Sequence, residues 1–416
     1  MSNQSNIEEA CFFVTWDGPS SNYVQSLFCP IFAKVKCHFG GNFHVYQFYW
    51  GDKQRASDNL VSCNSSGISF DGYDVKKGGS SLFFFFSVLS GILSLRRAIK
   101  KNKAKVVISR GVIASGIVRL AVLGLPEVRV IYHSDGLMAD ERVDFAGLKR
   151  NSLKYKLLFF VERQAVRKSN LILSLTRTGG DILFERHGKG LSKNRFKLVS
   201  NGRDPGFFKA HNETCRKRIR TSLGLEDQQT LYVYAGSLDK SKYHVENVLR
   251  LFKVALSRDE SSRLLILTAS IDLVTSTASQ LSLPEHSYTV KCVSFSDVPK
   301  FLSSADVGIC LVTPAFSMQA VWPIKAGEYL MCGLPVISTR NVGDLEALPH
   351  EGTFFFVDSF SDADFLRVID RFNTAYEADP MSLKEKARKL ALSHFDIKRT
   401  AYQYRSLIDK VSHNEP

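Results

Sequence analysis

Residues 323–339 read PIKAGEYLMCGLPVIST, and this stretch decides the fold class assigned to the chain. Pro323 suits the first turn of a helix and Gly333 suits the left-handed residue just past a helix end, so the sequence predicts a helix of about nine residues between them. The β-branched residues that follow predict a strand. A short helix leading directly into a strand is typical of an α/β domain.

Lys325 and Glu328 stand three residues apart, so they share one face of the predicted helix near its N-terminal end. There the ammonium group and the unpaired backbone N–H groups could bind a phosphate, while the carboxylate could accept hydrogen bonds from hydroxyl groups. This combination is typical of a nucleotide-sugar site. An ordinary surface Lys–Glu pair explains the same spacing and remains an alternative.

Four stretches of the chain together resemble the retaining glycosyltransferases of family 4. In chain order they are IYHSDGLMADERVDF from Ile131, LVSNGRDPGFF from Leu198, YAGSLDKSKYHVENVLRLF from Tyr234, and DVPKFLSSADVGICLV from Asp297 with the PxKxxEYLxCGLPVI pattern after it. The resemblance implies an α/β protein of the GT-B fold, in which two Rossmann-like, doubly wound parallel-sheet domains face a cleft. It implies an acceptor-side domain at residues 1–203, a donor domain at 204–383, and a last segment at 384–416 whose helix crosses back to the first domain.

Length and composition fit a soluble protein of two domains, with 416 residues of which 44% are hydrophobic and 23% charged. The eight cysteines are scattered without any C-x-x-C pair, so the sequence indicates neither a zinc site nor a disulfide scaffold. The opening MSNQSNIEEA has no positive segment and no apolar core, so no secretory signal is expected there. We expect a cytoplasmic protein.

The net charge of +14 lies entirely in the first half of the chain. Residues 1–200 hold 29 Lys and Arg against 15 Asp and Glu, whereas residues 201–416 hold 26 of each kind. A basic half could bind nucleic acid, an anionic membrane surface or a pyrophosphate-bearing substrate. Because no nucleic-acid-binding module is recognisable, we expect no nucleic-acid partner and favour the other two.

The first half is predicted to contain strands at residues 11–15 and 43–50, with no clear element in 51–81 beyond SGISFDGY. Residues 82–95, LFFFFSVLSGILSL, are too short to span a bilayer and are predicted to form a core helix. The alternative is a helix on the inner face of the cell membrane, with the basic RRAIKKNKAK among anionic lipid heads.

The resemblance and the positions of strand ends assign the candidate site residues. The candidate catalytic residues are His133, Lys242 and Lys325. The candidate donor-binding residues are Gly18, Gly236, Ser237, Val293, Phe295 and Glu328. The lysines are implied to stabilise a leaving pyrophosphate, and the glycines and Ser237 lie in loops after strands, where doubly wound sheets bind ligands. Val293 and Phe295 are implied to hold the base, and Glu328 the ribose.

The chain departs from the family pattern at several of these positions. Ser237 stands where the family has an arginine, which removes a bidentate phosphate ligand that serine cannot replace. Tyr243 replaces a glycine, and Ala320 replaces a glutamate, so sugar recognition must differ. Relatives with a DERVD segment carry Asp at the position of His133 and Arg at that of Asp135.

No metal and no cofactor is predicted. Asp362-Ala363-Asp364 has the D-x-D spacing of metal-dependent transferases, but it follows Ser361 at the head of an apolar helix and is predicted to cap that helix. The resemblance implies that lysines and helix ends stabilise the leaving group instead.

The predicted function is therefore retaining transfer of a sugar from a nucleotide diphosphate sugar to an acceptor hydroxyl. The acceptor is predicted to be a polyprenyl-diphosphate-linked glycan of lipopolysaccharide, capsule or another surface polysaccharide, with peripheral contact to an anionic membrane. Two alternatives remain: a non-catalytic partner subunit, favoured by the residues at 237 and 320, and a sugar-nucleotide epimerase of the same fold. An assay for donor hydrolysis or transfer separates catalytic from non-catalytic proteins.

Overall fold

The computed structural model describes residues 10–18, 21–76 and 81–412. The chain forms two compact units: the first comprises residues up to 202, 316–321 and the residues from 397 on, and the second comprises 203–315 and 322–396. The boundary predicted at 203/204 lies one residue from that at 202/203. The predicted last segment, 384–416, is divided, because 384–396 belong to the second unit and only the last helix belongs to the first. The return of 316–321 to the first unit was not predicted.

Each unit contains one sheet, whose described strand pairs are all parallel. The strands of the first sheet are β1 (Ala10–Asp17), β2 (Asn42–Tyr49), β3 (Ser69–Asp74), β4 (Val106–Arg110), β5 (Arg129–Ser134), β6 (Leu171–Ser174) and β7 (Phe196–Leu198). Those of the second are β8 (Leu231–Ala235), β9 (Arg263–Leu267), β10 (Tyr288–Lys291), β11 (Val307–Cys310), β12 (Val336–Thr339) and β13 (Phe354–Val357).

Helices connect the strands in both units. In chain order, the first unit contains α1 (Cys29–Phe39), α2 (Lys53–Ser65), α3 (Ser81–Lys101), α4 (Gly111–Ala121), α5 (Met138–Ala146), α6 (Leu153–Lys168) and α7 (Arg177–His187). The second contains α8 (Glu213–Ser222), α9 (Val245–Arg258), α10 (Ile271–Gln280), α11 (Val298–Ser304), α12 (Ile324–Met331), α13 (Asp362–Ala378) and α14 (Pro380–His394). The last helix, α15 (Ile397–Ser412), packs against α1 of the first unit.

Both sheets are doubly wound, as predicted. The strand orders are β3-β2-β1-β4-β5-β6-β7 and β10-β9-β8-β11-β12-β13, so the order reverses between β1 and β4 in the first sheet and between β8 and β11 in the second. Ligands of such sheets bind outside the carboxyl ends of the strands at this reversal. Gly18 follows β1 and Gly236 follows β8, which places each at the reversal of its own sheet.

The central strands are apolar throughout because helices cover both faces of each sheet. In the first unit, Phe12 of β1 packs with Leu95 of α3 and Val118 of α4 in one buried cluster. In the second unit, Tyr232 of β8 and Phe252 of α9 belong to the corresponding cluster. Polar residues begin at the ends of the strands, and these residues are therefore the candidates for binding a ligand.

Residues 51–81 contain a helix that the sequence did not predict. The carboxylate of Asp52 accepts a hydrogen bond of 2.9 Å from the N–H of Arg55 and so begins α2. Its buried residues are Ala56, Asn59 and Cys63. Because they are few and include a polar residue, the sequence shows no helical pattern of apolar residues here. The predicted SGISFDGY strand is present as β3.

A buried carboxylate joins several elements of the second unit. Asp306, at the start of β11, accepts hydrogen bonds from Arg216 at 2.7 Å, Tyr376 at 2.5 Å and the N–H of Leu231 at 2.9 Å. Burial alone would raise the pKa of Asp306, but the charges of Arg216 and Lys384 and these hydrogen bonds lower it instead. The carboxylate is therefore ionised and holds cations from α8 and α14.

We expect Asp306→Ala to lower the free energy of unfolding of the second unit by about 3–5 kcal/mol, because it leaves buried arginines without their counter-charge. The matched control is Asp370→Ala, which breaks an exposed pair with Arg258 and should cost at most about 1 kcal/mol. Urea unfolding followed by circular dichroism measures both. Equal midpoints for the two variants would show that Asp306 is not a structural centre.

Candidate functional site

The opening motif forms the predicted helix and strand. Pro323 precedes α12 and makes no side-chain capping bond, so the first turn keeps its N–H groups uncapped by a side chain. Gly333 follows the helix with φ of +81°, the left-handed conformation predicted for it, and β12 begins at Val336. The first turn of α12 is thus positioned directly against the sheet.

The approach of α12 to the sheet depends on a glycine and a tyrosine. A Cβ atom at Gly308 would lie 2.3 Å from the ring of Tyr329, so only glycine in β11 admits that ring. The hydroxyl of Tyr329 then accepts a hydrogen bond of 2.8 Å from the N–H of Ala235, the last residue of β8. This contact fixes α12 beside the carboxyl end of β8.

Lys325 extends from the first turn of α12 toward the loop after β8. Its ammonium group donates a hydrogen bond of 2.6 Å to the hydroxyl of Tyr234 and lies 4.4 Å from the ring centre of Tyr243. A Cβ atom at Gly236, where φ is +130°, would lie 3.5 Å from the Lys325 nitrogen. The backbone of Gly236, which carries no side chain, thus lies close to the ammonium group of Lys325.

Lys242 lies near Lys325, in a loop that hydrogen bonds hold in place. The carboxylate of Asp239 accepts hydrogen bonds from the N–H groups of Ser241 at 2.7 Å and Tyr243 at 3.0 Å, and the N–H of Thr313, after β11, donates to the carbonyl of Lys242 at 2.9 Å. The ammonium group of Lys242 lies 5.5 Å from the ring centre of Tyr243. Lys325 and Lys242 thus both lie close to the ring of Tyr243, which stands where the family has glycine.

The environment of Lys325 lowers its affinity for a proton. Burial lowers the pKa of Lys325 to about 8, and the charge of Lys242 acts in the same direction, while Cys310 and Glu328 oppose the shift. A bound anion would restore the charge of the ammonium group. The site is therefore suited to an anionic ligand that binds the protonated form.

Glu328 is not a surface partner of Lys325, so that alternative interpretation is wrong. Its side chain is only 14% exposed, and its carboxylate lies 3.1 Å from Nε of Arg203, which is itself buried. Burial raises the pKa of Glu328, against the charges of Arg203 and Lys325. Arg203 was not predicted as a site residue, although it lies in LVSNGRDPGFF, one of the four stretches on which the resemblance rests.

The residues predicted to hold the base lie beyond β10, two strands away from β8 in the same sheet. Phe295 is 42% exposed and stacks on Phe207 with ring centres 5.1 Å apart, so an aromatic ring is presented to solvent. Val293 is half-buried, and Ser237 is exposed, its carbonyl accepting a hydrogen bond of 2.7 Å from Tyr234. The assignment of Val293, Phe295 and Ser237 to donor binding stays a prediction.

The remaining two candidates, His133 and Gly18, lie in the first unit. His133 is fully buried, parallel to the ring of Tyr404 at 6.2 Å and edge-on to Phe28 at 5.9 Å. Burial, helped by Arg110, lowers the pKa of His133 to about 3, so the ring is neutral near pH 7. Its nitrogens have no hydrogen-bond partner in the part of the chain that the structure describes. His133 is thus held inside the unit.

A charged group occupies the reversal of the first sheet, and its central residue, Arg110, was missed by the sequence analysis. Arg110, at the end of β4, pairs with Asp17 of β1 at 3.1 Å and with Asp135 after β5. Arg110 and Asp17 are buried, whereas the side chain of Asp135 is 33% exposed. The accessible polar group at this strand end is therefore Asp135. Periodicity along the sequence could not predict these pairs, because the partners of Arg110 lie in or just after other strands.

The departure at Ala320 has a structural reason. Ala320 is buried in the first unit, where a Cβ atom added to Gly179 of α7 would lie 2.8 Å from the Cβ of Ala320. The hydroxyl of Thr176 donates a hydrogen bond of 2.9 Å to the carbonyl of Gln319, which holds this segment to the start of α7. A glutamate side chain at 320 would have no room in this packing.

The D-x-D segment caps a helix, as predicted. The hydroxyl of Ser361 accepts from the N–H of Asp364, whose carboxylate accepts from the N–H groups of Asp358 at 2.7 Å and Ser359 at 2.8 Å. Across residues 10–18, 21–76 and 81–412, no three His, Cys, Asp or Glu side chains are grouped so that they could hold a metal ion.

Two Rossmann-like units with parallel sheets of seven and six strands define the GT-B class of glycosyltransferase folds. Residues 216–390, within the second unit, match the family described as Glycosyl transferases group 1. The protein YtcC of Bacillus subtilis (strain 168), named as a candidate glycosyltransferase, is 26% identical over 215 residues, which are 48% of this chain and 50% of YtcC. This match spans half of the relative's length.

Solved structures resemble the whole chain. HepE of Anabaena, crystallised with UDP, superimposes with a TM-score of 0.71 at 12% identity, over 97% of this chain and 100% of HepE. WaaG, a glycosyltransferase involved in lipopolysaccharide biosynthesis, gives a TM-score of 0.67 at 17% identity, over 96% of this chain and 99% of WaaG. At these identities the likeness concerns the fold. The family match adds that residues 216–390 of the second unit resemble a glycosyltransferase domain.

Proposed function

We propose that this protein is a retaining glycosyltransferase of family 4 that moves a sugar from a nucleotide diphosphate sugar to an acceptor hydroxyl. One observation carries the proposal: Lys325 and Lys242 converge on one ring at the reversal of the second sheet, beside the backbone of Gly236. The second unit would bind the donor, and the first unit the acceptor. The group 1 match over residues 216–390 supports the donor part.

Lys325 and Lys242 would stabilise the leaving diphosphate. When the bond between the anomeric carbon and the diphosphate oxygen breaks, negative charge grows on the diphosphate, and fixed ammonium groups lower the energy of that state. Lys325 and Lys242 would supply the charge without a metal ion. The acceptor hydroxyl would attack from the face that the diphosphate leaves, and its proton would pass to the departing diphosphate oxygen, which retains the anomeric configuration.

Recognition of the nucleoside would fall to Glu328 and Phe295. A carboxylate can accept hydrogen bonds from both hydroxyls of a ribose, and Glu328 is held in place by its pair with Arg203. The exposed ring of Phe295, supported by Phe207, offers a stacking surface for a base. HepE, which shares the fold, has been crystallised with UDP, so a uracil nucleotide is the first donor to test.

The acceptor we propose is a polyprenyl-diphosphate-linked glycan of a surface polysaccharide, reached through peripheral contact with an anionic membrane. The excess of positive charge in residues 1–200 supports an anionic acceptor. The role of WaaG in lipopolysaccharide biosynthesis points in the same direction. Incubation with UDP-sugars and a polyprenyl-diphosphate glycan, with the product anomer read by NMR, tests the reaction. A product of inverted configuration would overturn the retaining mechanism.

We expect Lys242→Ala to lower the transfer rate by roughly 10- to 100-fold with little change in thermal stability, since it removes one charged contact to the leaving group. Lys240→Ala is the matched control, because Lys240 is an exposed lysine of the same loop. Steady-state kinetics with both variants give the answer. Equal rates for wild type and Lys242→Ala would remove Lys242 from the site.

A non-catalytic partner subunit is a second candidate function. The exposed Ser237 in place of arginine and the packed Ala320 in place of glutamate both favour it, because each removes a group that the family uses. The measurement that separates the two is donor hydrolysis by the purified protein alone. Nucleotide binding without any hydrolysis or transfer would favour the partner subunit.

A further inference from the structure

The helix α3 has two apolar faces, and only one of them belongs to the core. Ile92, Leu95 and Ile99 are buried against the first sheet, which confirms the predicted core helix for that face. On the outer side Phe86, Leu89 and Leu93, spaced by three and four residues, are 59%, 37% and 52% exposed. Such spacing aligns them in one stripe along the helix.

Two neighbouring helices continue this surface. α4 packs against both α3 and α6, and a Cβ atom at Gly116 of α4 would lie 3.1 Å from Val161 of α6. Arg96 of α3 donates hydrogen bonds to carbonyls at the end of α4. The exposed large apolar side chains of these three helices and of the turn after α4, which we call the α3–α4–α6 face, are Phe83, Phe85, Phe86, Leu89, Leu93, Leu120, Leu123, Leu153, Leu157 and Phe160.

The exposed charged side chains of α3, α4 and α6 are all basic. The stripe of α3 runs on into the exposed Arg97 and Lys100, and residues 75–126 contain ten Lys and Arg but no Asp or Glu. On α6, Lys154 and Lys156 flank the exposed leucines, and the one carboxylate, Glu162, is buried and paired with His187. A partner for this face must therefore accept apolar side chains and carry negative charge beside them.

An anionic lipid bilayer meets both requirements, since apolar side chains enter the boundary between head groups and acyl chains while lysines and arginines contact lipid phosphates. No helix among the described residues is long and apolar enough to cross a membrane, so the contact would be peripheral. We propose that the α3–α4–α6 face docks on an anionic bilayer, with Phe86, Leu89 and Leu93 inserted and Arg97 and Lys100 at the phosphates. The proposal assigns the membrane contact to a particular surface of the first unit. It rests on the proposed function only in taking the acceptor to be at the membrane.

The test uses the full-length protein and vesicles without donor or acceptor, so its failure leaves donor binding by the second unit untouched. We expect wild type to sediment with phosphatidylcholine vesicles containing phosphatidylglycerol, more weakly with pure phosphatidylcholine, and less at high salt. The triple variant Phe86→Ser, Leu89→Ser, Leu93→Ser should bind at least about 10-fold more weakly. The control, Leu60→Ser with Val61→Ser, removes exposed apolar side chains from α2 and should bind like wild type.

A second readout locates the inserted residues. Tryptophan at position 86, introduced as Phe86→Trp, should be quenched by brominated lipid in the anionic vesicles, whereas Leu60→Trp on α2 should not. The proposal is overturned if wild type does not sediment with anionic vesicles, if the triple variant sediments as well as wild type, or if both tryptophans are quenched alike. Self-association that is lost in the triple variant, without vesicle binding, would assign the face to a second copy of the chain and also overturn it.

Discussion

Replacing Lys325 with methionine should lower the transfer rate by roughly 100- to 1000-fold, the cost typical of removing one preorganised group that stabilises developing negative charge. Methionine keeps the length of the side chain and its contacts with the rings of Tyr234 and Tyr243 but removes the charge. Initial rates with a UDP-sugar measure the effect. Lys300→Met is the matched control, because Lys300 is a half-exposed lysine of the same unit, paired with Asp297. A rate within a few-fold of wild type would remove Lys325 from catalysis.

The same variant gives a pH signature. Burial lowers the pKa of Lys325 to about 8, so the ammonium form that binds a diphosphate is present below this value and is lost as the pH rises through it. Affinity of wild type for UDP should therefore fall between about pH 7 and about pH 9, and Lys325→Met should bind weakly without that dependence. A loss of affinity with the same pH profile in both proteins would mean that another group titrates.

The helix carrying Lys325 and Glu328 could be predicted because its signals are local. Pro323 and Gly333 mark its ends: Pro323 is the extended residue just before the helix rather than part of its first turn, and Gly333 has the left-handed conformation that the sequence indicated. The spacing of Lys325 and Glu328 also placed them on one face. What the spacing could not give was their partners.

Those partners come from distant parts of the chain. Lys325 bonds Tyr234, 91 residues earlier, and Glu328 pairs with Arg203. Periodicity describes which face of an element is buried, but it does not say which elements meet. Arg203 was therefore missed although the stretch that contains it, LVSNGRDPGFF, was recognised.

In the first unit, the sequence identified the strand end correctly but selected the wrong residue as the accessible one. His133 occupies a strand end, but its direction in the strand turns it inward, and the accessible group is Asp135, held by Arg110 from another strand. His133 lies within β5 and is buried, whereas Asp135 follows the last residue of β5, so the exact end of the strand separates a buried ring from a partly exposed carboxylate. The apolar run of α3 likewise left two interpretations, a core helix and a helix on a membrane face, because periodicity alone did not show which of its side chains stay exposed.

Glu328→Gln should weaken binding of a nucleoside diphosphate by one to two orders of magnitude. Glutamine keeps the shape of the side chain, but it has no negative charge with which to accept hydrogen bonds from the ribose hydroxyls. A hydrogen bond to a charged group is worth about 1.5–3 kcal/mol. The substitution also removes the counter-charge of Arg203, so thermal unfolding of the variant must be recorded beside it. Glu346→Gln, which changes a half-exposed carboxylate paired with Arg340, is the matched control and should leave affinity unchanged.

Calorimetric titration of UDP, GDP and ADP into wild type, Glu328→Gln, Lys325→Met and Glu346→Gln tests the central claim, that the end of the second sheet binds a nucleoside diphosphate. The account predicts that wild type and Glu346→Gln bind one of the three with equal affinity. Glu328→Gln should bind it about 10- to 100-fold more weakly and Lys325→Met more weakly still. Absence of binding to wild type, or equal affinity in all four proteins, would contradict it.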